Sequence, residues 1–250
     1  MELNNYYFDN GILKFSVFKE LKNIKAGFST NELGNPGYGN STTASRLKSR
    51  KKILDVDGLS IYDAVFQDQQ HTGQVRIVGE LNKHYGVKFK KNALQYNDGM
   101  ATNEKNVVLT VWGADCTPVY LFDPVKNVIA VFHSGREGTR KNIATNMINL
   151  IVETYKSNPS DIISILGPSI CEKCYQINEN IASKFNEKYI HEIDDKIFLN
   201  VKAKIQQQLL DAGIKKIIDI PICTFCDKNF FSYRREGKKH GTAMGYIVLV

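Results

Sequence analysis

Short apolar runs typical of β-strands crowd the middle of this chain, between residues 64 and 133, ahead of its first strongly periodic helix. Val, Ile, Phe and Tyr fill these runs, and Gly, Asn or Asp bound them, as in strands separated by turns. The predicted strands are Leu13–Phe18, Ala64–Phe66, Val75–Val78, Val107–Val111, Val119–Phe122, Val128–Phe132, Ile162–Leu166, Ile214–Ile220 and Gly245–Val250. Because strands do not alternate regularly with helices, the order favours an α+β or layered α/β fold with mixed β-sheets flanked by helices over a repeated βαβ fold.

Helices are predicted where apolar residues share one face at i+3 and i+4 spacing. The two strongest faces are formed by Ile143, Met147, Leu150, Ile151 and Tyr155, and by Val201, Ile205 and Leu209. Asn200 is the expected N-cap of the second helix, and Gly213 is expected to end it. Two shorter helices are predicted over residues 44–54 and 179–185.

Composition and charge narrow the function classes. The 250 residues are 42% hydrophobic and 24% charged, which is typical of a globular protein with a sizeable core. No apolar stretch is long enough to span a bilayer and no secretory signal is visible, so we expect a cytoplasmic protein without a membrane partner. The net charge of +7 permits nucleic-acid binding, but the basic residues are scattered and no nucleic-acid module accompanies them. Nucleic acid is therefore not the expected ligand.

Three side chains that can bind metal stand at predicted strand ends or turns. His71 lies between two predicted strands, Cys116 follows a strand and a Gly-Ala-Asp turn, and His133 ends the strand Val128–Phe132. Two imidazoles and one thiolate are borderline-soft ligands, and three protein ligands leave a fourth tetrahedral position open, as in catalytic zinc sites. Their spacing matches no compact metal motif, so the sequence does not establish that they meet.

The same residues suit a second chemistry. A cysteine beside a histidine can act as a thiolate nucleophile, so a metal-free cysteine hydrolase or amidase using Cys116 and His133 is an alternative. Asp115 could orient an imidazole, or cap the turn before Pro118.

Six short motifs follow one another along most of the chain. They are Gln70-His71-Thr72-Gly73, Asp98-Gly99-Met100-Ala101-Thr102, Ala114-Asp115-Cys116-Thr117-Pro118, His133-Ser134-Gly135, Gly167-Pro168-Ser169-Ile170 and Phe231-Ser232-Tyr233-Arg234-Arg235. In this order they resemble the YfiH family, also called the laccase-domain or multicopper polyphenol oxidoreductase family. The resemblance begins at Gly27-Phe28-Ser29-Thr30 and continues to the C-terminus.

The resemblance implies a single catalytic domain over residues 1–250, with sheet layers like those of the cytotoxic necrotizing factor catalytic domain. It implies phosphorolysis of adenosine, inosine and S-methyl-5'-thioadenosine, together with adenosine deamination. The family's metal-binding His, Cys and His fall on His71, Cys116 and His133. An older family assignment, copper-dependent polyphenol oxidation, is disfavoured because five histidines cannot supply several copper sites. Zinc is therefore the expected cofactor.

The expected substrates are a small nucleoside and phosphate, and a monomer is the favoured oligomeric state. Ser232, Arg234 and Arg235 match the family's Ser-x-Arg-Arg and are predicted to hold phosphate, since arginine forms bidentate bonds to it. Ser29 and Gln70 lie in matched motifs and are assigned to substrate binding. Asp115 is the candidate for proton transfer during deamination, a role that zinc deaminases give to a carboxylate that is not a ligand.

Two departures from the family pattern fall near the expected substrate site. The family usually continues its second histidine motif with Trp-Arg, whereas this chain has Arg136-Glu137, and its arginine after Phe-Ser-Thr is Asn31 here. A side chain shifted by one position leaves a strand end or helix start in another direction, so substrate contacts are expected to differ there.

The remaining cysteines form two pairs, Cys171-x-x-Cys174 and Cys223-x-x-Cys226. Paired CxxC motifs build four-thiolate zinc sites, but the usual separation of about 15–20 residues is exceeded here. Two alternatives remain open. The four cysteines are free thiols, or the tertiary fold brings them together to bind a second metal.

Overall fold

Two mixed sheets carry the apolar runs of the sequence in the computed structural model, which describes residues 4–250. The strands are β1 (Tyr6–Asp9), β2 (Ile12–Phe15), β3 (Ile24–Ser29), β4 (Ala64–Val65), β5 (Val75–Ile77), β6 (Gly99–Thr102), β7 (Val108–Gly113), β8 (Thr117–Asp123), β9 (Val128–Ser134), β10 (Ile163–Leu166), β11 (Gln176–Ile177), β12 (Ile190–Ile193), β13 (Lys196–Leu199), β14 (Lys216–Asp219) and β15 (Ala243–Leu249). The helices are α1 (Thr43–Asp55), α2 (Arg136–Arg140), α3 (Ile143–Tyr155), α4 (Glu179–Ala182), α5 (Val201–Asp211) and α6 (Tyr233–Glu236).

The sheet orders explain why no βαβ repeat is visible in the sequence. The first six-stranded sheet has the order β1-β2-β3-β15-β7-β4, and the second has the order β14-β10-β8-β9-β6-β5. Most neighbours are antiparallel, while β4–β7, β5–β6 and β10–β14 are parallel. A small third sheet has the order β11-β13-β12. The predicted α+β fold with mixed sheets and flanking helices is confirmed.

The two large sheets pack face to face over the main hydrophobic core. Phe28 and Leu109 enter it from the first sheet, and Tyr120 and Val131 enter it from the second. Gly245 of β15 allows the two layers to approach, since a Cβ there would lie 2.1 Å from the Tyr120 hydroxyl oxygen. A side chain at this position would therefore force the sheets apart.

Helices cover the outer faces of both sheets. The predicted apolar face of α3 is buried against the second sheet, together with Ile205 and Leu209 of α5. Ile53 and Leu54 of α1 pack on the first sheet. Among residues 4–250, no helix is both long enough and apolar enough to cross a membrane.

Local signals located the long elements well and the short ones less well. The Asn200 side chain caps α5 by accepting a hydrogen bond from the Ala203 N–H at 2.9 Å, and Gly213 follows the helix with a φ of +93°, as predicted. The helix predicted over residues 179–185 is shorter, and residues 16–18 form a 3₁₀ turn where the sequence predicted strand. The sequence did not predict the strands β1, β3, β6, β11, β12 and β13 or the helices α2 and α6.

We expect Gly245→Ala to lower the free energy of unfolding by about 1–3 kcal/mol, the usual cost of overpacking a core. The added methyl group would meet the Tyr120 hydroxyl between the sheets. Gly39→Ala is the matched control, because a Cβ at Gly39 has nothing within 4 Å and should change stability by less than about 0.5 kcal/mol. Urea denaturation measures both variants, and equal stabilities would contradict the packing argument.

Candidate active site

The register of the second sheet brings Cys116 next to His133. His133 lies near the C-terminal end of β9 and pairs with Pro118 near the start of the antiparallel strand β8. Cys116 comes directly before β8, so its side chain lies at the same sheet edge.

The neighbouring strands add Asp98 and His71 to this edge. Gly99 of β6 pairs with Phe132 of β9, and the His133 N–H donates to the Asp98 carbonyl at 2.7 Å. Because β5 runs parallel to β6 and begins opposite Gly99, the loop that carries His71 also ends here.

The structure brings together the three metal-competent residues that the sequence singled out. One ligand atom from each of His71, Cys116 and His133 lies within 4.8 Å of the other two. The Cys116 Sγ is 3.8 Å from the His71 Nε2, and the two imidazole centroids are 4.7 Å apart. Residues distant in sequence thus form one compact donor cluster.

Asp98 is a buried carboxylate that fixes both histidine segments. It accepts hydrogen bonds from the His133 Nδ1 at 3.0 Å, the His71 backbone N–H at 3.0 Å and the Thr72 hydroxyl at 2.6 Å. Burial alone would raise the pKa of Asp98, but the hydrogen bonds from His133 and Thr72 outweigh it and lower that pKa. An ionised Asp98 accepts a hydrogen bond from the protonated Nδ1 of His133. The Nε2 of His133 is thereby left available as a ligand.

The backbone around the cluster is shaped to leave room between the donors. His71 has a φ of +55°, a left-handed conformation held by its N–H bond to Asp98. A Cβ at Gly135 would lie 2.5 Å from the Cys116 Sγ and 3.1 Å from the His71 Cδ2. Glycine at position 135 therefore keeps the space beside the sulfur free.

Cys116 and His133 share a strong electrostatic interaction. Burial would raise the pKa of Cys116, but the charge and hydrogen bond of His133, helped by His71, lower it to about 6. Burial would lower the pKa of His133, but the Cys116 thiolate and Asp98 raise it to about 10. Without a metal these shifts favour a thiolate and an imidazolium near neutral pH, and metal binding at His133 would release the imidazole proton.

The donor set fits a transition metal. Two imidazoles and a thiolate suit zinc or copper, whereas magnesium and calcium prefer oxygen ligands. Asp98 supplies the outer carboxylate that usually orients a ligating histidine. The space kept by Gly135 lies beside these donors.

The cluster opens into a cavity of about 660 Å³, within the size range of small-molecule sites. Its aromatic lining consists of Tyr38, Trp112, Tyr175 and Tyr233, and its basic lining includes Lys90, Arg136 and Arg234. Trp112 stacks on Phe66 at 5.6 Å, and the buried Arg50 guanidinium lies 4.2 Å from the Phe66 ring. The aromatic wall is therefore supported from behind.

Asp115 holds the loop before Cys116. One carboxylate oxygen accepts the Thr224 hydroxyl and the other accepts the Arg234 backbone N–H, both at 2.7 Å. The φ of +91° at Asp115 agrees with a tight turn. Three roles were considered from sequence, namely orienting an imidazole, capping the turn and transferring a proton. These contacts favour turn capping.

Arg234 and Arg235 face different surroundings. Arg234 lines the cavity, with its guanidinium 5.0 Å from the Tyr175 ring centroid. The Arg235 guanidinium instead donates to the carbonyls of Thr224 at 2.7 Å and Phe225 at 2.9 Å. These donors of Arg235 already hold a neighbouring loop, which disfavours the expected phosphate contact of this residue; that contact stays a prediction.

Three further residues assigned to substrate from motifs are outside the cavity lining. The Ser232 hydroxyl caps α6 by accepting the Arg235 N–H at 3.2 Å, and the buried Ser29 hydroxyl accepts the Met244 N–H at 2.9 Å. The Gln70 amide donates to Asp68 at 3.0 Å. These contacts build the surrounding loops, so the structure does not add support for direct substrate binding by these residues, which stays a prediction.

Sequence reasoning missed the parts that Tyr175 and Arg136 play in the cavity lining. Burial raises the pKa of Tyr175, while Arg136 and Arg234 act in the opposite direction, so both cations lie near its hydroxyl. The signal for Arg136 was present as a departure from the family motif. Nothing local marked Tyr175.

We expect Asp98→Asn to weaken zinc binding at His71, Cys116 and His133 by about 10- to 100-fold, the usual effect of losing an outer-shell partner. The neutral amide would no longer hold the His133 Nδ1 proton as a carboxylate does. Asp68→Asn is the control, since Asp68 lines the cavity but pairs with Lys90. Competition with a chromophoric chelator measures both affinities, and equal losses would contradict this role of Asp98.

Comparison with known proteins finds similar sequences over most of the chain. The profile of the family described as multi-copper polyphenol oxidoreductase laccase matches residues 26–250. The purine nucleoside phosphorylase YlmD of Bacillus subtilis is 32% identical over 249 residues, covering 90% of this chain and 88% of that protein. The adenosine deaminase RL5, from an unknown prokaryotic organism, is 26% identical and covers 74% of each chain.

A solved structure extends the likeness to the whole fold. The crystal structure of the Bacillus licheniformis hypothetical protein YfiH superposes with a TM-score of 0.93 at 29% identity, covering 99% of this chain and 100% of that chain. Together with the profile match over most of the sequence, this likeness makes the chain a member of the YfiH, or laccase-domain, family.

Proposed function

We propose that residues 1–250 act as one catalytic domain, a zinc-dependent purine nucleoside phosphorylase that also deaminates adenosine. The observation that carries this proposal is the His71, Cys116 and His133 cluster, which opens into a cavity with aromatic walls and two arginines. One relative is named a purine nucleoside phosphorylase and another an adenosine deaminase, and these names support the two proposed reactions. Adenosine, inosine and S-methyl-5'-thioadenosine are the proposed nucleosides.

His71, Cys116 and His133 would hold the zinc ion, with Asp98 keeping the proton on the His133 Nδ1. A zinc ion with an open position supplies Lewis-acid chemistry, by polarising an oxygen or lowering the pKa of water. Zinc is preferred to a set of copper centres because five histidines cannot furnish several copper sites.

The cavity lining suits the two halves of a phosphorolysis reaction. Trp112 and Tyr175 offer flat apolar surfaces for a purine base. Arg234, assisted by Arg136, would bind inorganic phosphate through charge-assisted hydrogen bonds. In the reaction the glycosidic C1'–N9 bond breaks, a C1'–O bond to phosphate forms, and the base takes up a proton. The arginines would hold the phosphate near C1' and so reduce the entropic part of the barrier.

A metal-free cysteine hydrolase is the second candidate, and one observation favours it. The pKa of Cys116 is about 6 beside the imidazolium of His133, so a nucleophilic thiolate exists at neutral pH. The third donor, His71, distinguishes the two readings, because a thiolate–imidazolium pair does not need a second imidazole. The metal bound at this cluster, measured as the difference in metal content between the wild type and Cys116→Ala, separates them.

The proposed function predicts phosphate-dependent release of adenine from adenosine, and ammonia release that does not need phosphate. A nucleoside panel assayed with and without phosphate, with each product quantified, measures both reactions. Cys116→Ala should lose the zinc of this cluster and at least about a hundredfold in both rates, because one of three ligands is missing. Turnover with undiminished metal content in this variant would contradict the zinc assignment. Activity in the metal-free wild type would favour the cysteine hydrolase.

Loss of the Arg234 side chain should weaken phosphorolysis, whereas the amount of bound zinc should hardly change. Loss of one charge-assisted phosphate contact typically costs about 1.5–3 kcal/mol, so Arg234→Ala should raise the KM for phosphate about ten- to a hundredfold. Arg234→Lys should restore only part of this, because a point charge does not replace the planar guanidinium. The rate of deamination should fall less, because that reaction uses water and needs no bound phosphate.

Two control variants accompany the measurement on Arg234→Ala. Arg76→Ala removes an exposed arginine of β5 outside the cavity lining and should leave the KM for phosphate unchanged. Arg235→Ala should mainly lower stability, because its guanidinium holds the carbonyls of Thr224 and Phe225. If Arg234→Ala reduced both reactions equally with normal zinc, the arginine would be holding the nucleoside instead of phosphate.

A further inference from the structure

The four cysteines outside the active-site cluster meet through the topology of the second sheet. Leu166, at the end of β10, pairs with Asp219, at the end of the parallel strand β14. The segments that follow the two strands therefore leave the sheet at the same edge. Beyond the strands, Ser169 and Cys223 form a further parallel bridge. The Cys171–Cys174 and Cys223–Cys226 segments are thereby placed side by side.

The sulfurs of these segments form one compact group. The Sγ atoms of Cys171, Cys174, Cys223 and Cys226 all lie within 4.8 Å of one another. The Sγ atoms of Cys174 and Cys226 are 3.4 Å apart. All five cysteines of the described chain are free thiols, so these four sulfurs are not joined in pairs.

Each segment is folded as a tight turn around its first cysteine. The Cys171 carbonyl accepts the N–H groups of Cys174 and Tyr175, at 3.0 and 3.1 Å. The Cys223 carbonyl accepts the Asp227 N–H at 2.9 Å. The Cys171 N–H donates across the two turns to the Cys223 Sγ at 3.3 Å, a bond that stabilises a thiolate.

We propose that Cys171, Cys174, Cys223 and Cys226 bind one structural zinc ion as four thiolates, at a site separate from the His71, Cys116 and His133 cluster. Four cysteine ligands complete a tetrahedron and leave no open position, which distinguishes a structural from a catalytic zinc site. The two CxxC pairs have the usual local spacing, and the sheet replaces the short linker that normally joins such pairs.

Nearby cations suit the charge of such a site, since four thiolates and one zinc ion carry a net charge of −2. The Lys202 ammonium bonds to the Ile220 carbonyl at 2.8 Å, just before the second cysteine pair. The Arg235 guanidinium bonds to the carbonyls of Thr224 and Phe225, which lie between Cys223 and Cys226. Both cations are attached to the loop that would carry two thiolates. Each also pairs with a carboxylate, Lys202 with Asp219 and Arg235 with Glu236, both at 2.6 Å, so they offset only part of the charge of the site.

The proposed ion would fix one wall of the cavity. Ile170 and Tyr175 line the cavity on either side of the first cysteine pair, and the Ile170 N–H donates to the Asp115 carbonyl at 2.9 Å. The second pair encloses Thr224, whose hydroxyl bonds to the Asp115 carboxylate. Zinc would thus join the two loops that support the segment before Cys116.

The test uses the full chain with Cys116→Ala, so that the active-site cluster no longer contributes zinc. We expect this variant to retain one zinc ion per chain by elemental analysis. X-ray absorption should show a shell of four sulfurs at about 2.3 Å and no nitrogen. Because the other cluster is already disabled, the result does not depend on the proposed nucleoside activity.

Adding Cys174→Ser to this variant should reduce bound zinc to less than about one-tenth of an equivalent, because a neutral hydroxyl is a much poorer zinc ligand than a thiolate. Adding His191→Ala instead is the control, since this exposed histidine pairs with Glu172 within the first cysteine turn but is not among the four donors. If the serine variant does not fold, the sulfur shell of the Cys116→Ala chain decides alone.

Three results would overturn the proposal. The first is a Cys116→Ala chain that folds and contains no zinc. The second is iron in place of zinc, which four thiolates also accept. The third is a disulfide between Cys174 and Cys226, visible as a mass lower by two hydrogens in the intact chain.

Discussion

The buried carboxylate of Asp98 is the interaction on which the candidate active site depends. Its oxygens accept bonds from the backbone of His71 and Thr72, from the Thr72 hydroxyl and from the His133 ring. An ionised carboxylate without these donors would be costly to bury, so the loop and the histidine must fold around it together. One side chain thereby fixes two of the three metal-competent residues, and strand pairing places the third.

Strand register, more than any local motif, explains the position of both sulfur-containing clusters. The pairing of β6, β9 and β8 brings Asp98, His133 and Cys116 to one edge, and the pairing of β8, β10 and β14 continues that edge to the remaining cysteines. These strands of the second sheet are buried between the first sheet and covering helices, so a slip in register would expose their apolar residues. The hydrophobic core therefore determines the geometry of polar groups at its rim.

This dependence sets how much could be predicted from the sequence. Continuous apolar runs such as β8 and β9 were predicted because they are buried on both faces. The sequences of β6 (GMAT) and α2 (REGTR) carry little apolar signal, so they were missed. The identities of His71, Cys116 and His133 indicated a metal site, but their approach depends on long-range pairing that spacing does not encode. The Ser-x-Arg-Arg motif gave residue types without directions, which is why Arg235 was assigned to phosphate although it bonds to backbone carbonyls.

The Arg136-Glu137 departure gives this chain an asymmetric pair of cavity arginines. Burial would raise the pKa of Glu137, but Arg140 and Arg136 lower it, so the carboxylate stays ionised beside them. Its oxygens accept bonds from Arg140 at 3.0 Å and from Arg136 at 3.3 Å, which engages part of the Arg136 guanidinium. Arg234 instead packs against the face of Tyr175, and its backbone is held by Asp115. Because a guanidinium already bonded to a carboxylate has fewer donors and less net field to offer an anion, binding of the proposed phosphate would fall mainly to Arg234.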